Sequence, residues 1–175
     1  MIHEDWLSRR YYGGDLPEAA ERALHAAALD WNDEAAAEAH IIRALEVAPG
    51  RLEVHLGAYK FYFYRHRLGE ALPHARACLE EAGRRLKLPA DWRRVEMEHA
   101  DFAGQDGEAR LFLFSLLAWG YLLARLDRVE EGCAALTKVS SLDPADKLGA
   151  RALLRVMEQG GADDDDDDEG DSVQP

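Results

Sequence analysis

The 175-residue chain carries 21 Lys and Arg against 34 Asp and Glu, a net charge of −13 with histidines neutral. Its length suits one domain with its own core rather than two, and the acidic balance argues against nucleic acid as the main partner because phosphates would be repelled. A hydrophobic fraction of 47% excludes general disorder, while abundant Ala, Leu, Arg and Glu with few β-branched residues favour helix over sheet.

The first helical signal is Asp15-Leu16-Pro17-Glu18, an N-cap aspartate followed by a first-turn proline and a glutamate, leading into an Ala/Leu-rich helix over 19–29. Asn32-Asp33 breaks it, and a second helix over 34–47 runs until Pro49-Gly50. A third, rich in aromatics, occupies 51–65. Leu68-Gly69 turns the chain into a fourth over 70–86. Leu88-Pro89-Ala90-Asp91-Trp92 interrupts the pattern; one or two short turns follow over 92–99, then a loop over 101–107. Helices resume over 108–126 and 129–141, and Asp143-Pro144 is expected to cap a last one ending near Gln159. Residues 160–175 hold Asp163 through Asp168, Glu169 and Asp171, with nothing apolar to bury, and read as a disordered acidic tail. Its simplest role is solubility; folding back onto basic groups or weakly gathering cations are the other readings.

Internal periodicity selects the class. Leu24, His25, Ala28, Ala37, Ile41 and Ala44 align with Ala58, Tyr59, Tyr62, Ala71, Ala75 and Cys78 at a constant offset of 34 residues. A third unit carries Trp119-Gly120, Leu123, Gly132, Leu136, Val139 and Pro144 in the same order, after an insertion of about 27 residues. Small residues at these positions let paired helices approach closely, and the proline closes the second helix. On these residues the chain resembles the tetratricopeptide repeat family over roughly residues 18–144. The strings Phe61-Tyr62-Phe63-Tyr64, Leu88-Pro89-Ala90-Asp91-Trp92 and Leu142-Asp143-Pro144 are also similar to those of small bacterial repeat proteins associated with nitrogen fixation.

The resemblance implies an all-α superhelix of about three helical hairpins, with an insertion at about 87–107, in one domain over 1–159. Residues 1–12, with Trp6, Tyr11 and Tyr12, are expected to cap the first hairpin. It also implies that the first helix of each hairpin lines a concave groove, which places Arg22, Lys60, Phe63, Tyr64, Arg67, Phe114, Tyr121 and Arg125 toward a partner. Aromatic and guanidinium groups anchor interfaces well, and cations among them suit an acidic peptide or a C-terminal carboxylate. Aromatics at helical spacing more often serve the core, so about half of these side chains are expected to pack rather than bind. The run Tyr59 to Tyr64 cannot face one side of a helix, and the insertion, with Trp92 as plug, is expected to cover part of it.

No GxSxG, Gly-rich phosphate loop or HExxH is present, so neither catalytic residues nor a cofactor are expected. Cys78 and Cys133 read as packing thiols, without CxxC spacing. No secretory signal opens the sequence, and the apolar stretch 111–123 is short for a bilayer, so a cytoplasmic location away from membranes is expected. The function read from these features is a non-enzymatic adaptor for a protein partner. Two other classes stay open: a metal- or cofactor-handling accessory with ligands from Glu96, Glu98, His99 and Asp101, and a homo-oligomeric scaffold.

Overall fold

The computed structural model describes residues 15–163, so the expected N-terminal cap and the stretch beyond Asp163 lie outside the described residues. Among those residues the chain forms seven α-helices: α1 Glu18–Leu29, α2 Glu34–Val47, α3 Leu52–Tyr64, α4 Leu68–Arg85, α5 Gly107–Arg125, α6 Val129–Leu142 and α7 Ala150–Asp163. They pack as sequential antiparallel pairs, α1 on α2, α3 on α4 and α5 on α6, with α7 against α6. The chain is all-α. The insertion does not separate the hairpins, because α5 packs directly against α4.

Local chemistry explains the helix ends. Asp33 caps α2, accepting a hydrogen bond from the Ala36 N–H at 3.1 Å. Helices α3, α4 and α5 all end in the same left-handed turn, on His66, Lys87 and Asp127. In each, an N–H reaches back five residues: Arg67 to the Tyr62 carbonyl, Leu88 to Gly83 and Arg128 to Leu123, at 2.9–3.0 Å. Two helix starts differ from the sequence expectation, and α7 runs on to Asp163 where the sequence predicts a disordered tail from residue 160. Asp15 does not cap α1; Pro17 occupies the cap position and offers no side-chain bond. Asp143 does not start α7 either. Its carboxylate, 4% exposed, turns inward to accept the Leu148 N–H at 3.0 Å. The chain then makes a turn through Asp146 and Gly149, both at positive φ, before α7 begins.

Close packing follows the small residues. A Cβ on Gly120 would lie 2.8 Å from the Ala135 Cβ, and one on Gly132 would lie 2.6 Å from the Gly120 carbonyl oxygen. The backbones of α5 and α6 therefore meet where the two glycines face each other.

Two hydrophobic clusters result. One joins α1–α4 with Ala118 and Leu122 of α5 around Phe61. The other joins α4, α5 and α6 with Trp92, Val95 and Phe102 of the insertion. The insertion forms two short 3-10 turns, Trp92–Arg94 and Met97–His99. Trp92 is a plug, but its ring meets Trp119 edge-on at 6.0 Å, so it does not cover the Tyr59–Tyr64 run. Most of that run packs against neighbouring helices, with Phe61 meeting Trp31, Tyr62 stacked on His74 and Tyr59 meeting Phe114, while Tyr64 stays exposed. Helix α5 is long and apolar enough to cross a membrane by composition alone. Its buried residues, Leu116, Leu122 and Leu123 among them, pack between neighbouring helices.

Candidate functional site

Six of the eight side chains expected to face a partner come together on α3 and α5. Phe63 is the hub: its ring stacks on Tyr59 at 5.4 Å, meets Tyr64 edge-on at 5.6 Å and reaches across to Tyr121 at 6.0 Å. Phe114 stands two turns earlier on α5, edge-on to Tyr59 at 6.1 Å. The Tyr121 hydroxyl accepts a hydrogen bond from Arg125 Nη1 at 2.7 Å, and the guanidinium lies 5.7 Å from that ring's centre. Tyr64 is exposed, while Phe63, Phe114 and Tyr121 are half-buried. The rings thus pack and present surface at once.

Lys60 and Phe114 also line an open cleft of about 750 Å³ with Leu52, Leu56, Arg110 and Leu111. Burial pulls the Lys60 ammonium down to a pKa of about 8, since the charged form loses water in the cleft. Glu53 lies deeper on the same wall, 7% exposed, and is held by Arg85 at 3.0 Å and Arg51 at 3.5 Å. Arg85 reaches Glu81 on its own helix and Glu108 on α5 as well, tying α3, α4 and α5 together.

Arg22 and Arg67 stand apart from this face. Arg22 is exposed on the outer side of α1, paired with Glu18. Arg67 is turned toward α2, bonding Glu38 at 2.7 Å, Glu34 at 3.2 Å and Glu70 at 2.5 Å, with its guanidinium 4.8 Å from the Tyr62 ring centre. These carboxylates push its pKa further up, through the hydrogen bonds Arg67 donates to Glu70 and then to Glu38. Arg67 thus clamps α2 to the α3–α4 turn, away from the ring face.

The carboxylates proposed as metal ligands do not converge. The His99 Nδ1 lone pair is taken by the Glu96 backbone N–H at 2.8 Å, and the Glu96 carboxylate turns toward Lys138. Among the described residues no group of three or more His, Cys, Asp or Glu is placed to hold an ion. Cys78 is buried and its thiol is pushed up to about 12 by burial. Cys133 is only half-buried, 4.0 Å from the Met157 sulfur.

The sequence reading passed over two features. One is Arg65, whose guanidinium lies 4.0 Å from the Phe61 ring centre and 4.4 Å from that of Trp31 while donating to the Trp31 carbonyl. The other is a contact between His55 and His74 across α3 and α4. Burial first, and then His55, hold the His74 pKa down to about 4. Below its ordinary value near 6.5 the unfolded chain takes up the proton first, so this group's contribution is intact above pH 6.5 and lost between 6.5 and 4. The expected result is a melting temperature that falls over that range by an amount matching about 1–2 kcal/mol after allowance for partial exposure. Thermal melts of wild type and His74→Gln at both ends of the range test it; an unchanged slope in the variant refutes the assignment.

The chain is 41% identical over 164 residues to the "Uncharacterized 19.8 kDa protein in nifW 5'region" of Azotobacter chroococcum mcd 1, an alignment covering 93% of this chain and 92% of the relative. No family model matches the chain. No solved structure matches it either.

Proposed function

The chain belongs to the same family as that Azotobacter protein, and from this premise we propose that it is a non-enzymatic adaptor or accessory protein. In this reading the helical pairs form a tetratricopeptide-like superhelix whose α3/α5 face binds an acidic segment of a partner protein. The observation that carries it is the continuous surface of Lys60, Phe63, Tyr64, Phe114, Tyr121 and Arg125. Stiff aromatic surface flanked by cations is the composition that anchors interfaces, and it complements a carboxylate-bearing ligand. The name of the relative places its gene 5′ of nifW. Carried to this chain, that location favours a role in support of nitrogen fixation.

The test is affinity capture from an extract of cells grown under nitrogen-fixing conditions, comparing wild type with Lys60→Glu/Arg125→Glu. Both proteins must first show the same helical signal and melting. The expected result is a partner retained by wild type and reduced at least tenfold in the variant, a loss of about 1.4 kcal/mol or more. Equal capture by both moves the site elsewhere.

Lys60 adds a pH signature. With a pKa of about 8 it is mostly charged at pH 7 and mostly neutral at pH 9. Partner affinity is therefore expected to fall across that interval. Lys60→Arg, whose guanidinium stays charged, should flatten the profile; a profile identical to wild type would remove Lys60 from the interface.

A further inference from the structure

Two histidines outside the binding face meet between α3 and α4. The Nδ1 atoms of His55 and His74 lie 3.0 Å apart, with ring centres at 5.2 Å. His55 Nε2 is 2.7 Å from the Pro49 carbonyl oxygen. A carbonyl only accepts, so this nitrogen carries the proton and a neutral His55 presents a bare lone pair at Nδ1. The hydrogen bond between the rings is then donated by His74 Nδ1. On its other side His74 is held by the Tyr62 ring, parallel to within 5° at 5.7 Å. Both imidazoles are half-buried, so each is held in place and still reached by solvent.

We propose that His55 and His74 form a two-nitrogen site for a divalent transition-metal ion, in which the ion takes the place of the proton shared between the two Nδ1 atoms. Imidazole nitrogens bind such ions at about 2.0–2.1 Å. Two of them at the tetrahedral angle of one zinc ion stand about 3.3 Å apart, a few tenths of an ångström wider than the 3.0 Å spacing present. Each ring swings modestly so that both lone pairs point at the ion instead of at each other. The hydrogen bond from His55 Nε2 to a backbone carbonyl is the orienting contact that metal-bound histidines commonly make. Proton accounting closes within the pair: the proton on His74 Nδ1 moves to its Nε2, the ring stays neutral, and no electrons are exchanged. The low proton affinity of His74 keeps that ring available as a ligand at neutral pH. The described residues supply no third His, Cys, Asp or Glu, so water or another molecule fills the remaining positions. Bound there, the ion staples α3 to α4.

The probe is Zn(II) alone, added to the full chain at pH 7.5 against a chromogenic competitor and followed in parallel by thermal melting. The expected result is one equivalent bound through this pair and a melting temperature about 5 °C higher at a hundredfold excess over Kd. His55→Gln and His74→Gln are each expected to lose at least tenfold in affinity together with the thermal shift, while His40→Gln and His99→Gln keep both. Because His74→Gln can disturb packing, the imidazole nitrogen resonances of the wild type give an independent reading: those of His55 and His74 should move on Zn(II) addition. No binding at millimolar Zn(II), unchanged binding in both pair variants, or unmoved His55 and His74 resonances would each overturn the proposal.

Discussion

Gly132→Ala is expected to lower the melting temperature by roughly 5–10 °C, although alanine is the better helix former. The propensity gain is about 1 kcal/mol. Against it stands a methyl group 2.6 Å from the Gly120 carbonyl oxygen and 2.8 Å from both the Ala124 nitrogen and its Cβ. Two of these three neighbours are backbone atoms of α5, which cannot rotate away, so α5 and α6 must separate. Overpacking costs about 1–3 kcal/mol and occasionally more, and with two backbone atoms in the way the cost here should reach about 3–4 kcal/mol. The net loss should be about 2–3 kcal/mol, which sets the thermal shift for a chain of this length. Gly50→Ala, with open space around its Cβ, is the matched control and should change little. Equal melting temperatures for Gly132→Ala and Gly50→Ala would mean that α5 and α6 are not in backbone contact.

Trp92→Ala is expected to cost about 3–5 kcal/mol, the usual range for removing a buried tryptophan. Trp92 is 9% exposed and packs with Val95, Phe102 and Trp119 in the second cluster. Were the insertion a surface ornament, its tryptophan would be replaceable at little cost. In this structure it closes the junction between the second and third hairpins, so its loss should loosen α5 from α4. Chemical denaturation with a single shared transition and a lowered midpoint checks this. A midpoint within error of wild type would detach the insertion from the core.

These two sites also show why parts of the fold were legible in the sequence. Gly132 shares its repeat position with Ala37 and Ala71, both buried, so the spacing already marked it as a place for a small residue. Helix ends could be read wherever a local residue decides them, as Asp33 does for α2. Reading failed where a distant group decides. Asp143 looks like a helix cap, but its burial in the second cluster's rim directs the carboxylate to Leu148 and delays α7 to Ala150. Trp92 announces a plug without naming its hole, and the partner proved to be Trp119.

The candidate face divides in the same way. Lys60 with Phe63 and Phe114 with Tyr121 follow helical spacing within α3 and α5, the repeat resemblance groups the two helices, and ring contacts join them. Arg67 has the same composition signal, yet carboxylates from α2 and α4 hold it elsewhere. That arrangement depends on which helix packs beside it. His55 and His74 are 19 residues apart on different helices, and no spacing rule pairs them before α3 and α4 are docked.

The most direct measurement of the central claim is photo-crosslinking in nitrogen-fixing cells, with a photoreactive amino acid replacing Tyr64 or Tyr121 on the proposed face. Arg76, exposed on α4 and paired with Glu80 along its own helix, is the comparison position. The account predicts the same cross-linked partner from positions 64 and 121 and none from position 76. A partner captured from position 76 alone, or with equal yield from all three, would contradict the assignment of the α3/α5 face as the binding surface.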